Sequence, residues 1–312
     1  MLALLDPDTT GFAGAYSNVL ELGVLLPLVT AFPGVISETW MLEAVERSIE
    51  PELAVVDAGL TSHRAGYHMY LAIGRPQRAN EILSRRERAA GGFYHEMRLT
   101  DATYGALPEE FGLAAARAHE EQLAGKAVGE FTDDDVRSLV RLTLWRLSRG
   151  DTSESATTID MLRAAARGAS RIDALSYEVA ALFLEADLAE RRGDATASAT
   201  LERMRGDYDA GVSLGVSVEA GLHFALADLY ERLGEPVEAL AILERQRVMS
   251  LNNPLNAEYL RERGRLSALL GDNERAIREY GHYLLLRHDP EPELEQEVED
   301  VRRALAEITG SN

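Results

Sequence analysis

Cysteine is absent from the 312 residues, so neither a disulfide framework nor a thiolate metal site is available. Bases are scarce: 32 Lys and Arg stand against 52 Asp and Glu, a formal net charge of −20. General affinity for DNA, RNA or anionic membrane needs a basic face, and this balance argues against one. Long apolar runs are missing too. The nearest, Leu22 to Ser37, is uncharged but spans 16 residues and is interrupted by Pro27 and Pro33. That is shorter than the roughly 20 residues of a membrane-crossing helix. No Lys or Arg precedes Arg47, so the basic start of a signal peptide is also lacking. The segment reads as a buried helix, and the chain as soluble and cytoplasmic.

What is present favours helix. Ala, Leu, Glu and Arg are abundant, only 10 Pro occur, and no run alternates as a strand would. Leu222, Leu226, Leu229, Tyr230 and Leu233 share one helical face, and Leu266, Leu269 and Leu270 share another. Short turns separate the helices: Gly74-Arg-Pro, Gly150-Asp, Gly193-Asp, Gly234-Glu-Pro and Gly271-Asp. Glycine suits the left-handed position that ends a helix, the acid after it can cap the next helix, and proline suits a first turn. The last four glycines stand 43, 41 and 37 residues apart, and Gly74 lies 76 before Gly150, with a further turn expected at Leu107-Pro108. Such periods mark helical hairpins that must stack to bury their apolar faces.

The content of each unit resembles the tetratricopeptide repeat. Ala227, Tyr230, Gly234 and Ala239 carry the pattern in one unit. Gly264, Gly271, Ala276 and Tyr280 carry it in another, and Tyr70, Gly74, Ala79 and Leu83 in a third. Looser versions place Thr143 and Ser155 around Gly150, and Ala186 and Ser198 around Gly193. The resemblance implies an all-α protein: a right-handed α-solenoid of stacked antiparallel hairpins over residues 59–308, with residues 1–58 as an N-terminal helical cap. Asp133-Asp134-Asp135 reads as a helix cap, and Asp289-Pro290 as the start of a last, acidic capping helix at 291–308. Gly91–Gly92 and Lys126–Glu130 read as loops between hairpins. The stretches Leu184–Asp194, Leu260–Asp272 and Ala276–Pro292 also resemble the C-terminal repeat region of large bacterial serine/threonine kinases and multidomain regulators. The kinase part itself, with its glycine-rich loop and its His-Arg-Asp and Asp-Phe-Gly motifs, is not found.

Signals for chemistry are weak. Gly211-Val-Ser213-Leu-Gly215 matches the hydrolase pattern, but a helix-like segment rather than a strand precedes it. His63 and His68 are five apart, His95-Glu96 lacks a second His four residues on, and His282 and His288 are six apart. None has the spacing of a metal pair, and no cofactor fingerprint occurs. Trp145, beside Leu142 and Leu144, reads as core, as does Trp40.

The tetratricopeptide resemblance places partner contacts along the first helix of each hairpin. It assigns Arg64 and His68 in the first unit. Phe183, Asp187 and Glu190 follow in the Gly193 unit, Phe224, Asp228 and Glu231 in the Gly234 unit, and Glu258, Arg261 and Arg265 in the last. Arg261 and Arg265, four apart on one face, can hold a carboxylate or phosphate. The function expected is a non-catalytic scaffold that binds a partner peptide or helix in a concave groove. One alternative is a regulatory module working beside a kinase or transcription regulator. Another is a helical-toroid enzyme, although such enzymes carry many cavity aromatics and this chain has two Trp.

Overall fold

The computed structural model describes residues 60–90, 93–213, 222–245 and 255–310. Expectations for residues 1–58, Trp40 and the Gly91–Gly92 loop lie outside them. Among the described residues there are thirteen α-helices and no strand. They are α1 (Leu60–Ala72), α2 (Pro76–Ala90), α3 (Phe93–Thr103), α4 (Glu109–Leu123), α5 (Asp133–Ser148), α6 (Ser155–Ala166) and α7 (Arg171–Arg191). There follow α8 (Thr196–Ser213), α9 (Leu222–Arg232), α10 (Pro236–Arg245), α11 (Asn256–Leu269), α12 (Asn273–Leu286) and α13 (Glu295–Thr309). No helix among the described residues is long and apolar enough to cross a membrane.

The five glycine turns share one construction. Gly74, Gly150, Gly193, Gly234 and Gly271 all have φ between +69° and +80°. At each, the glycine N–H and the next N–H donate back to carbonyls of the preceding helix, as Gly150 does to Leu147 and Asp151 to Arg146. This left-handed closure satisfies carbonyls that the helix end would otherwise leave bare. The turn expected at Leu107-Pro108 sits slightly earlier: Gly105 holds the positive φ, and Pro108 is the N-cap of α4.

The described helices fall into two compact units. The larger contains α3 to α10 with residues 262–276. Within it α3 packs on α4 and α5, α4 on α5, α5 on α6, α6 on α7, α7 on α8 and α9, and α9 on α10. Two ties fix α7 beside α5 in parallel. Tyr177 Oη donates to Asp133 at 2.7 Å, and Arg191 reaches the Leu147 carbonyl at 3.4 Å, each joining residues 44 apart. Small residues sit at the tight contacts. Ala186, Ala227 and Ala239 are buried, and Thr143 on α5 bonds Thr158 on α6 at 3.0 Å. In the Gly193 unit the buried small residue is Ala197, one earlier than the expected Ser198, which is exposed. Leu269 and Leu270 are exposed at the tip of their hairpin, although Leu266 on the same helix is buried.

A layer of Leu99, Ala115, Ala116, Leu142 and Trp145 joins α3, α4 and α5, so Trp145 is core as its neighbours suggested. Gly112 lies under the indole: a Cβ there would come 2.2 Å from Trp145 Cη2. The loop before α5 is pinned by a buried carboxylate. Asp135 accepts from Gln122 Nε2 (3.0 Å), Lys126 Nζ (2.6 Å) and Thr132 N (2.9 Å). The cap itself is Thr132 rather than the aspartate run, because its side chain takes the Asp135 N–H in a capping box. Burial disfavours the Asp135 charge, but those donors outweigh it and hold its carboxyl well below the usual range.

The other unit contains α1, α2, α11 up to Arg261, α12 from Ile277, and α13. The last helix starts later than Asp289-Pro290 implied. A 3-10 turn at Pro292–Leu294 precedes α13, and Gly310 closes it with φ 66°.

The two glycines Gly112 and Gly206 should respond oppositely to alanine. Gly112→Ala should lower unfolding free energy by about 1–3 kcal/mol through overpacking against Trp145. Gly206→Ala, where a Cβ meets nothing within 4 Å, should raise it by about 0.5–1 kcal/mol. Urea denaturation of both variants checks the pair, and a stabilising Gly112→Ala would refute the packing argument.

Candidate functional site

The positions assigned from the repeat pattern are placed by the first helices of their hairpins, and most of them find partners within the protein. In the larger unit Phe183 and Asp187 are buried on α7, with Glu190 half-buried one turn on. Arg232 on α9 bonds Asp187 and Glu190 on α7, and Asp228 on its own helix at 3.0 Å. Arg191 holds the other Asp187 oxygen at 2.7 Å. Arg265 then grips Glu231 with two bonds of 2.9 and 2.6 Å, and Glu262 at 2.8 Å. The result is a ladder of charge-assisted bonds across successive first helices, and the bidentate rung is its best-formed step. Burial works against the Arg232 charge, but Asp187, Asp228 and Glu190 outweigh it and raise its pKa. Bonding to Arg265 lowers the Glu231 pKa. Asp228 and Arg265 are the outer, exposed members.

Phe224 packs against an aromatic side chain of the protein itself. It is buried and stacks on Tyr104 from the end of α3, ring centroids 5.0 Å apart. Helix α8 runs through Gly211-Val-Ser213, so this stretch forms no strand-to-helix elbow of the hydrolase kind. Leu214 and Gly215 lie outside the described residues.

The remaining assigned positions belong to the smaller unit. Arg64 is on α1, with its side chain outside the described residues, and His68 is buried on the same helix. Glu258 is fully buried and pairs with Arg287, itself fully buried. Arg287 also donates to Glu297 at 2.9 Å and to the Leu71 carbonyl at 3.4 Å. Glu297 further accepts from Tyr283 Oη at 2.5 Å and pairs with Arg261. Arg261 thus pairs with Glu297, and Arg265 with Glu231. Two arginines and two glutamates compensate each other here, as burial requires. Burial opposes the Arg287 charge, and Glu258 outweighs it, so the guanidinium pKa rises.

One buried cluster escaped the pattern reading. The register that sets Gln122 opposite Asp135 and Gly112 under Trp145 sets His119 level with Ser138. His119 and Ser138 are buried, and the Ser138 hydroxyl makes no hydrogen bond. His95 on α3 and Arg141 on α5 flank His119, and Arg141 pairs with Glu96 at 2.8 Å. The place of His119 on the α4 face that also carries Gly112, Ala115 and Ala116 was the only sequence signal. Among the described residues no three acidic or histidine side chains converge as a metal would need.

No protein-family model, curated protein or solved structure matches this chain.

Burial, then the Arg141 guanidinium and His95, push the His119 pKa down from 6.5 to about 4. The unfolded chain therefore binds the proton first. Stability on this account is complete above about 6.5 and is lost as pH falls toward 4, by up to about 3 kcal/mol. The difference in unfolding free energy between wild type and His119→Leu should change across that window. A difference that stays flat would refute the assignment.

Proposed function

We propose that this protein is a non-catalytic interaction scaffold. Its tetratricopeptide-like hairpins stack as a right-handed α-solenoid, and it binds an extended peptide or a helix of a partner protein along its first helices. The observation that carries the reading is the ion-pair ladder joining α7, α9 and residues 262–265. It fixes neighbouring first helices side by side and leaves Asp228, Glu231 and Arg265 at a solvent-facing edge. A surface already braced in this way loses little conformational freedom on binding, which favours affinity. The acidic balance of the chain disfavours nucleic acid.

The test is selection of peptides from a random display library on the purified chain, followed by anisotropy titration. At least one peptide should bind in the micromolar range. The paired exchange Glu231→Arg/Arg265→Glu keeps the bridge but reverses its charges, so melting should stay within about 3 °C of wild type. Affinity should fall at least tenfold, or about 1.4 kcal/mol. Failure to enrich any peptide would sink the scaffold reading, and binding indifferent to the exchange would sink this location for it.

A further inference from the structure

The hairpin turns differ in one residue, the one after the glycine. Four turns place an acid there: Asp151, Asp194, Glu235 and Asp272. Two of these cap their own following helix, Asp194 accepting from Thr196 at 2.9 Å and Asp272 from Arg275 at 3.1 Å, while Asp151 accepts from the Ser153 N–H at 3.0 Å in the turn before α6. The first turn has Arg75 instead, which cannot accept. Helix α2 thus begins without a carboxylate of its own, and its first donors need one from elsewhere.

Residues 288–293 supply it. Glu291 Oε2 accepts from the Gln77 N–H at 2.6 Å, and its backbone N–H donates to the Gly74 carbonyl at 2.8 Å. Asp289 pairs with Arg75, and Glu293 Oε1 accepts from Gln77 Nε2 at 2.9 Å. The Pro290 ring lies on Gly74, where a Cβ would come within 3.2 Å of Pro290 Cβ. At Gly150, Gly193, Gly234 and Gly271 the same probe meets nothing within 4 Å. Arg287 and Leu294, both buried, anchor the strap at its ends, while His288, Asp289, Pro292 and Glu293 between them are exposed. An acid, a proline, an acid and, two residues later, a third acid are thus read by one cation, one bare glycine, one helix N-terminus and one amide.

We propose that the α1–α2 turn is a recognition seat for an extended acidic, proline-spaced peptide of a partner protein, which residues 288–293 of this chain occupy in cis as a displaceable strap. The seat is separate from the ladder on α7 and α9, and its recognition does not depend on the scaffold reading. Its chemistry is that of a helix N-terminus plus a guanidinium, which together favour a carboxylate over a neutral group. Binding in trans requires the strap to lift while Arg287 and Leu294 stay buried. A partner therefore competes with a tethered copy of its own motif, and resting affinity is reduced by the fraction of time the strap is seated.

The experiment uses the full chain and a fluorescein-labelled peptide copying residues 287–294, with a control peptide carrying Lys at its three acidic positions. Asp289→Lys/Glu291→Lys places like charge against Arg75 and the helix N-terminus and so empties the seat. This variant should bind the acidic peptide at least tenfold tighter than wild type, ignore the control, and lose the binding when Arg75→Glu is added. Circular dichroism must match wild type for the comparison to count. Where it does not, Glu291→Gln alone keeps the strap's shape. That variant should speed hydrogen exchange at the Gln77 and Arg78 amides and admit the acidic peptide. A folded, emptied variant that binds no better than wild type, or that binds both peptides alike, overturns the proposal. So does Glu291→Gln with unchanged exchange and no binding. Concentration-dependent dimerisation of the wild type, abolished by Glu291→Lys, would assign the seat to a second copy and overturn it equally.

Discussion

Every described hairpin in this protein must reverse its chain within a few residues and still leave no helix end bare. The left-handed glycine is the means. Once Gly150 or Gly193 takes φ near +70°, two N–H groups fold back on the preceding helix and the next helix starts at a fixed angle. The second helix can then lie close only where small side chains meet, which is why Ala186, Ala227 and Ala239 are buried at the contacts. Register follows from the same constraint. With turn and contact fixed, α7 falls beside α5 at one offset, and two ties at opposite ends of α5 agree on that offset.

Charge is handled differently in the two units, and the difference is one of solvent. The ladder of Asp187, Arg232, Glu231 and Arg265 has an exposed edge, so each rung contributes modestly and mainly aligns the helices. The Glu258–Arg287 pair has no such edge. Its desolvation is compensated only because Glu297, Arg261 and the Leu71 carbonyl complete the set. Removing either side would leave a buried, unpaired charge. Replacing a buried ion pair by well-packed apolar groups is often neutral in free energy, so the pair is not by itself a source of stability.

The helices, their turns and the buried Trp145 were legible in the sequence because each rests on local spacing. Gly74, Gly150, Gly193, Gly234 and Gly271 announced themselves by composition, and glycine has one dominant reason to stand there. Two details were misplaced. Ala197 rather than Ser198 takes the buried place after Gly193, and Thr132 outcompeted three aspartates because its hydroxyl could close a capping box with Asp135. The candidate surface was harder to read. A repeat pattern says which side of a helix a residue occupies, and is silent on whether another part of the chain covers it. Phe224 meets Tyr104 from more than one hundred residues away, and Glu258 meets Arg287. Such pairings are set by tertiary packing, which spacing along one helix does not encode.

Among five turns closed by the same left-handed glycine, the informative residue is the one that departs from the others for a physical reason. Arg75 is such a departure: it stands where the other four turns carry an acid, which caps the following helix in two of them. The same substitution that deprives α2 of its own cap supplies a cation beside the bare donors. An accidental loss would leave unmet hydrogen-bonding groups and no reason for a guanidinium at that place. Here Glu291 fills the gap and Asp289 meets the cation, with Pro290 holding the backbone extended between them. Three independent complementarities in six residues amount to a recognised sequence, and the exposure of the strap between two buried anchors makes that recognition reversible in principle. One of five like-built glycine turns thus acquires an addressed site by departing from the other four.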